Sequence, residues 1–94
     1  MADDDLEMRR TREFDGYVES ILIRDAPNHP QYPCGWKYRL HFGTLDGETI
    51  VRFDNAHETS KGHERHTGDE VEIIDFPGMA DLYRRFVREV NEYR

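Results

Sequence analysis

The chain has 94 residues, of which 36% are hydrophobic and 35% charged, and its formal net charge is −7. This length predicts one small domain spanning residues 1–94, and no apolar run approaches the roughly 20 residues of a membrane-spanning helix. The single cysteine, Cys34, excludes an internal disulfide. The N-terminus lacks the basic-then-apolar pattern of a signal peptide, so we expect a cytoplasmic protein.

The acidic net charge is only weak evidence against nucleic-acid binding. The basic residues are 11 Arg and only 2 Lys. Abundant Asp and Glu with almost no Lys resembles the solvated surfaces of proteins from extreme halophiles. In molar salt the Debye length is about 3 Å, so local contacts decide binding more than net charge does.

The first third of the chain predicts one strand between two irregular segments. Residues 1–11 form an acidic stretch without periodicity, and we expect a frayed start there. Residues 12–24 are rich in β-branched and aromatic residues, which is typical of a strand, and Gly16 marks a bulge or bend within it. Residues 25–35 contain three prolines and a glycine, which predicts a loop.

A β-hairpin is the clearest feature of the middle of the chain. Asp46-Gly47 lies between two runs of alternating apolar and polar residues, which predicts strands over about 36–45 and 48–55. A two-residue turn with positive φ at both positions would place Leu45 opposite Glu48. Side chains alternate between the faces of a strand, so this register defines two faces.

One face of this hairpin is apolar and the other is cationic. The register places Arg39 across from Asp54 and His41 across from Arg52. The apolar face predicts core positions at Trp36, Tyr38, Leu40, Phe42, Val51 and Phe53. The opposite face carries Lys37, Arg39, His41, Ile50, Arg52 and Asp54.

The C-terminal third predicts a polar loop, a strand and a helix. Residues 55–70 contain almost no apolar side chain, whereas residues 71–76 read as a strand. A single 3.6-residue stripe then predicts a helix that covers the apolar face of the hairpin. We therefore expect an α+β fold, with a small antiparallel β-sheet of three to four strands packed against a C-terminal amphipathic helix. The stripe comprises Met79, Leu82, Tyr83, Phe86, Val87 and Val90.

The loop after the hairpin concentrates groups that can carry acid–base chemistry. His57, Lys61, His63, Arg65 and His66 lie within ten residues. Histidine titrates near neutrality, and Lys or Arg can hold a phosphate. Metal-independent cleavage of RNA needs that combination, although a solvated loop has a similar composition.

Metal binding is an alternative for the same loop. His63 and His66 are three residues apart, and His57 and Asp54 are further possible ligands. However, the sequence has no HExxH or paired CxxC spacing. We therefore assign no metal ligand and no cofactor from the sequence.

Three segments together resemble the TumE family of toxin–antitoxin proteins. They are the runs 35–40 (GWKYRL), 52–55 (RFDN) and 61–66 (KGHERH), and the resemblance extends over about residues 12–90. Members of that family share a G-x-KYRL strand, a YDN or FDN strand end and a KG…HRH-like loop. The family loop often reads KGDHRH, so His66 and Arg65 carry over directly and His63 only approximately.

The resemblance implies a toxin that is neutralised by a helix-turn-helix antitoxin. We infer from the residues that the target is RNA. The sequence leaves open whether the chain forms a homo-oligomer. Two alternatives remain: a non-catalytic module that binds nucleic acid or protein through the same surface, and a metal-dependent hydrolase. The catalytic candidates are His66, His63, Asp54 and Lys61. The substrate-binding candidates are Lys37, Arg39, Arg52, Arg65 and His41.

Overall fold

A computed structural model describes residues 7–93 of the chain. Six strands form one antiparallel sheet in which each strand pairs with the next along the sequence. A short helix lies between the fourth and fifth strands, and a longer helix follows the sixth strand. The elements are β1 (Glu7–Phe14), β2 (Tyr17–Asp25), β3 (Trp36–Thr44), β4 (Thr49–Asp54), α1 (Glu58–Lys61), β5 (His63–Thr67), β6 (Glu70–Ile74) and α2 (Met79–Tyr93).

The α+β class and the C-terminal helix are confirmed, but the predicted count of three to four strands is wrong. One additional strand comes from the N-terminal segment. Asp15 and Gly16 have φ angles of 53° and 85°, and they form a two-residue turn that pairs Phe14 with Tyr17. This is the Asp-Gly hairpin turn, with positive φ at both positions. Gly16 is therefore a turn residue and not a bulge within one strand.

The first strand also begins earlier in the chain than the composition indicates. Residues 1–6 of the expected frayed start lie outside the described residues. Residues 7–11 form the first part of β1, which pairs with β2. On β1, Arg10 and Arg12 both form ion pairs with the buried carboxylate of Glu19.

The second additional strand is β5, which lies in the segment expected to be a polar loop. Residues 63–67 pair with β4 on one side and β6 on the other. Their sequence, HERHT, shows no alternation of apolar and polar residues. Backbone pairing on both sides, rather than burial of an apolar face, defines this strand.

The predicted register of the central hairpin is confirmed, but its turn differs. Arg39 pairs with Asp54 and His41 with Arg52. The pairing shifts by one residue after Phe42, so Thr44 donates its backbone N–H to Glu48 at 2.9 Å. The loop thus has three residues, and Leu45 does not face Glu48. A β-carbon added to Gly43 would lie 2.2 Å from the Glu48 carbonyl oxygen, so this close approach requires glycine.

The core lies between the sheet and α2, as the helical stripe predicts. Phe53 and Phe86 are fully buried, and their rings meet edge to face at 6.4 Å. None of the helices within residues 7–93 has the length and apolar content that crossing a bilayer requires. The buried core residues on the sheet and helix are Ile21, Ile23, Tyr38, Leu40, Phe42, Val51, Phe53, Met79, Leu82, Phe86 and Val90.

Candidate functional site

The sheet presents two faces, and the predicted site residues are divided between them. The inner face, which packs against α2, carries the apolar core. The outer face, which points away from α2, carries most of the predicted site residues. Alternation along β3, β4 and β5 assigns to the outer face Lys37, Arg39, His41, Arg52, Asp54, Glu64 and His66.

Arg52 lies at the centre of the outer face, between two histidines. Its cross-strand partners are His41 on β3 and His66 on β5. Its Nε lies 3.0 Å from Asp54 Oδ2, and a terminal guanidinium nitrogen lies 3.1 Å from His66 Nε2. His41, Arg52 and His66 therefore form a row across three adjacent strands, with the guanidinium between the two imidazoles.

His66 has acidic neighbours as well as Arg52. Its Nε2 lies 3.0 Å from Glu64 Oε1 and 3.5 Å from Asp54 Oδ2. The imidazole is mostly buried, with 17% of the side chain exposed. When neutral, Nε2 can accept a hydrogen bond from Arg52, and when protonated it can donate to Glu64. The ring therefore lies between a cation and two carboxylates.

His41 lies on the other side of Arg52, and its environment differs from that of His66. Its Nε2 lies 3.1 Å from the Thr49 hydroxyl. Burial lowers the pKa of His41 from its usual 6.5, and the nearby cations Arg39 and Arg52 lower it further. The ring is therefore neutral near pH 7 and can accept a proton.

Arg39 lies between two shallow clefts on the outer face. One, of about 390 Å³, is lined by Lys37, Arg52 and Asp54 among others, and the other, of about 380 Å³, extends towards β1 and His41. Although Arg39 is opposite Asp54 in the register, that carboxylate pairs with Arg52. Arg39 is exposed and forms no ion pair with the residues the structure describes. Its charge is available to a ligand.

Three of the predicted site residues are not brought to the outer face. His63 and Arg65 alternate with Glu64 and His66 along β5, so both lie on the inner side of the sheet. Arg65 donates to Glu89 of α2 at 2.8 Å and lies over the Phe53 ring. Lys61 is exposed at the end of α1.

His63 belongs to a buried cluster at the end of the sheet. Its Nδ1 lies 2.7 Å from the Tyr38 hydroxyl, and its Nε2 lies 3.3 Å from Glu58 Oε2. Its ring stacks on Phe76 with centroids 4.6 Å apart. Burial raises the pKa of the Tyr38 hydroxyl, and the neighbouring Cys34, Asp54 and Glu58 raise it further.

Two residue groups within the described part of the chain have the composition and proximity of metal sites. Asp54, Glu64 and His66 form one on the outer face, and Cys34, Glu58 and His63 form the other on the inner side. In each group the possible ligand atoms lie within 4.8 Å of one another. Glu64, Glu58 and Cys34 were not predicted from the sequence as members of such groups. Counting alternate residues back from His66 would have found Glu64, had β5 been recognised as a strand.

The family described as "Toxin TumE" has a model that matches residues 2–94. The chain belongs to the TumE toxin family. No curated protein and no solved structure matches it. The match extends beyond the three segments that carry the resemblance and covers every element of the fold. This TumE toxin therefore presents a histidine- and arginine-bearing outer face, and toxin activity implies an antitoxin partner.

Proposed function

We propose that this TumE toxin acts on RNA and cleaves it on the outer face by metal-independent acid–base catalysis. The observation that carries the proposal is the row His41–Arg52–His66 across three adjacent strands. Two imidazoles on either side of a guanidinium match what phosphodiester cleavage needs: a base, an acid and a cation between them.

The chemistry follows from the environments of the two rings. Neutral His41 removes the proton of the RNA 2′-hydroxyl, and the 2′-oxygen forms a bond to phosphorus. Arg52 stabilises the negative charge that develops on the phosphate oxygens. Protonated His66, held by Glu64 and Asp54, gives its proton to the 5′-oxygen as the bond from phosphorus to that oxygen breaks. The products are a 2′,3′-cyclic phosphate and a 5′-hydroxyl.

This assignment changes the role of two residues. His63, a catalytic candidate in the sequence, is buried on the inner side against Tyr38 and Glu58. His41, which the sequence places only in substrate binding, takes the role of the base because it shares a face with His66. Lys61 and Arg65 have no part in the proposed reaction.

The charge distribution supports RNA as the substrate. The chain carries a formal charge of −7, yet the outer face collects cations on four adjacent strands. Phosphate contacts supply most of the affinity for nucleic acid, and the base sequence adds specificity. The outer-face cations on the described strands are Arg9, Arg24, Lys37, Arg39 and Arg52.

Growth arrest and RNA integrity test this proposal in cells. The toxin and its His66→Ala variant are expressed at matched levels without an antitoxin, with Arg88→Ala as the control. Arg88 is exposed on α2, away from the outer face. We expect arrest and RNA degradation with the wild type and the control, and neither with His66→Ala. Arrest and degradation by His66→Ala would contradict the proposal.

A helix-turn-helix protein is the proposed antitoxin, and the cytoplasm, where the RNA lies, is the proposed compartment. Family membership supports an antitoxin in general. The neighbouring reading frame tests its type. A small helix-turn-helix protein that suppresses the growth arrest would support the pairing, and suppression by a protein of another class would contradict it.

A metal-dependent hydrolase is the second candidate, because Asp54, Glu64 and His66 form a possible metal site beside Arg52. Carboxylates with one imidazole suit Mg²⁺ or Mn²⁺ next to a phosphate. Cleavage by purified toxin with a chelator or with added Mn²⁺ separates the two. Unchanged cleavage in chelator supports the acid–base mechanism, and loss that Mn²⁺ restores supports the hydrolase.

A non-catalytic binding module would use the same cationic face. It predicts RNA binding with no cleavage under either condition. Measuring binding and cleavage on the same RNA therefore separates all three candidates.

A further inference from the structure

Cys34 meets two residues from later in the chain, Glu58 and His63, on the inner side of the sheet. Cys34 lies near the end of the loop before β3, Glu58 begins α1, and His63 begins β5. The side chains of Glu58 and His63 are only 8% and 10% exposed, and Cys34 is half-buried. The proposed RNA cleavage uses none of these groups, because all three lie away from the outer face.

The separation of these atoms matches a tetrahedral metal site. A zinc ion binds thiolate sulfur at about 2.3 Å and nitrogen or oxygen at about 2.0–2.2 Å, so its ligand atoms are roughly 3.3–3.7 Å apart. Glu58 Oε2 and His63 Nε2 are already 3.3 Å apart. Cys34 Sγ lies within 4.8 Å of both groups. Small side-chain adjustments bring all three to bonding distance.

The surrounding hydrogen bonds orient each possible ligand. The Tyr38 hydroxyl lies 2.7 Å from His63 Nδ1, which leaves Nε2 for the metal. Asn55 Nδ2 donates to Glu58 Oε1 at 3.0 Å and also approaches Cys34 Sγ at 3.7 Å. The Cys34 backbone N–H donates to Glu58 Oε2 at 3.0 Å, and the second lone pair of that oxygen can bind the metal. Ligands of bound metals are commonly positioned in this way by a second layer of polar groups.

The thiol can give up its present hydrogen bond without leaving an unpaired acceptor. The Cys34 thiol donates to the Trp36 carbonyl oxygen at 3.3 Å. On metal binding its proton passes to solvent. The carbonyl oxygen still accepts from Asn55 Nδ2 at 2.6 Å.

The donor set favours zinc over other common cations. Mg²⁺ and Ca²⁺ prefer all-oxygen ligands and do not select a thiolate, whereas sulfur, imidazole and carboxylate together suit Zn²⁺. Three protein ligands leave a fourth position for water. Because these three groups take no part in the proposed reaction, the ion would serve the fold.

We propose that Cys34, Glu58 and His63 bind one zinc ion, which fastens the 26–35 loop and α1 to β5. The ion takes no part in RNA cleavage on the outer face. A ligand that binds only the native chain stabilises it against unfolding, so zinc raises the melting temperature.

Titration of tag-free, metal-free toxin with Zn²⁺ and with Co²⁺ tests this site. We expect one equivalent to bind, the melting temperature to rise, and Co²⁺ to give a thiolate-to-cobalt charge-transfer band. Cys34→Ser keeps the size of the side chain, and we expect it to abolish that band and weaken zinc binding by at least about tenfold.

Two variants serve as controls. Glu64→Gln alters the outer-face group of Asp54, Glu64 and His66, and His29→Asn removes an exposed loop histidine. Both should bind zinc as the wild type does. Absence of a charge-transfer band with wild-type toxin, unchanged zinc affinity in Cys34→Ser, or loss of binding in Glu64→Gln would each overturn the proposal. None of these outcomes depends on RNA cleavage.

Discussion

His41 shows how one residue's surroundings set its chemistry. Its pKa is lowered by burial and by the cations Arg39 and Arg52. Removing one of these cations should therefore raise the pKa of His41 towards its usual 6.5. We expect Arg39→Gln to do so, as measured by titrating the His41 ring signals by NMR. An unchanged or lower His41 pKa in Arg39→Gln would contradict this expectation, and Arg88→Gln on α2 is the control that should leave it unchanged.

The lowered pKa of His41 also predicts a pH dependence of stability. The unfolded chain, with the usual pKa near 6.5, binds this proton more readily than the folded chain. The free energy of unfolding therefore falls as pH drops through 6.5 towards the lower folded pKa. We expect the free energy of unfolding to fall less for His41→Asn than for the wild type between about pH 7.5 and about pH 5, as measured by denaturant unfolding. Identical pH dependence in the variant and the wild type would count against it.

Residue positions were predictable where periodicity could be counted. Alternation from the Asp46-Gly47 turn correctly placed Arg39, His41, Arg52 and Asp54 on one face, because burial of the opposite aromatic face enforces the register. Beyond Asp54 the sequence has no apolar alternation. The placement of His63 and His66 on opposite faces of the sheet could therefore not be predicted by counting residues.

At the scale of elements, the contact between β4 and α2 should contribute strongly to stability. Phe53 is fully buried and meets Phe86 edge to face. Phe53→Ala should lower the free energy of unfolding by about 3 kcal/mol or more, through lost burial and the cavity left behind. Denaturant unfolding measures this. Ile73→Ala is the matched control, since Ile73 is 60% exposed on β6, and it should change stability by less than about 0.5 kcal/mol. Equal effects of the two substitutions would be incompatible with the packing described.

Of the two elements that were not predicted from the sequence, β5 lacks a local signal of its own, whereas the Asp15-Gly16 turn marks the end of β1. β1 and β2 were merged because the Asp15-Gly16 turn lies inside an otherwise continuous β-forming stretch. The same dipeptide chemistry at Asp46-Gly47 gave the right hairpin with the wrong loop length, because Gly43 was not recognised as the site of the one-residue shift after Phe42. β5 was missed because its neighbours in the sheet, and not its own side chains, make it a strand.

At the scale of the whole molecule, the proposed function depends on a local cationic face in a chain whose net charge is negative. RNA affinity should therefore fall with increasing salt even though the net charge is −7. Arg39→Ala should weaken binding and reduce the slope of log affinity against log salt by about one phosphate contact. Arg88→Ala on α2, which is exposed away from the outer face, should change neither. A salt slope that is insensitive to Arg39 and sensitive to Arg88 would place the RNA on the helix.

The cleavage rate of a single-site RNA by purified toxin in chelator, at a temperature where the toxin remains folded, tests the central claim most directly. The acid–base mechanism predicts cleavage to a 2′,3′-cyclic phosphate and no cleavage when that nucleotide lacks its 2′-hydroxyl. His41→Ala and His66→Ala should each slow the reaction by roughly a hundredfold or more, with RNA affinity largely kept. Cleavage of the 2′-deoxy substrate, or unchanged rates in both histidine variants, would contradict the mechanism.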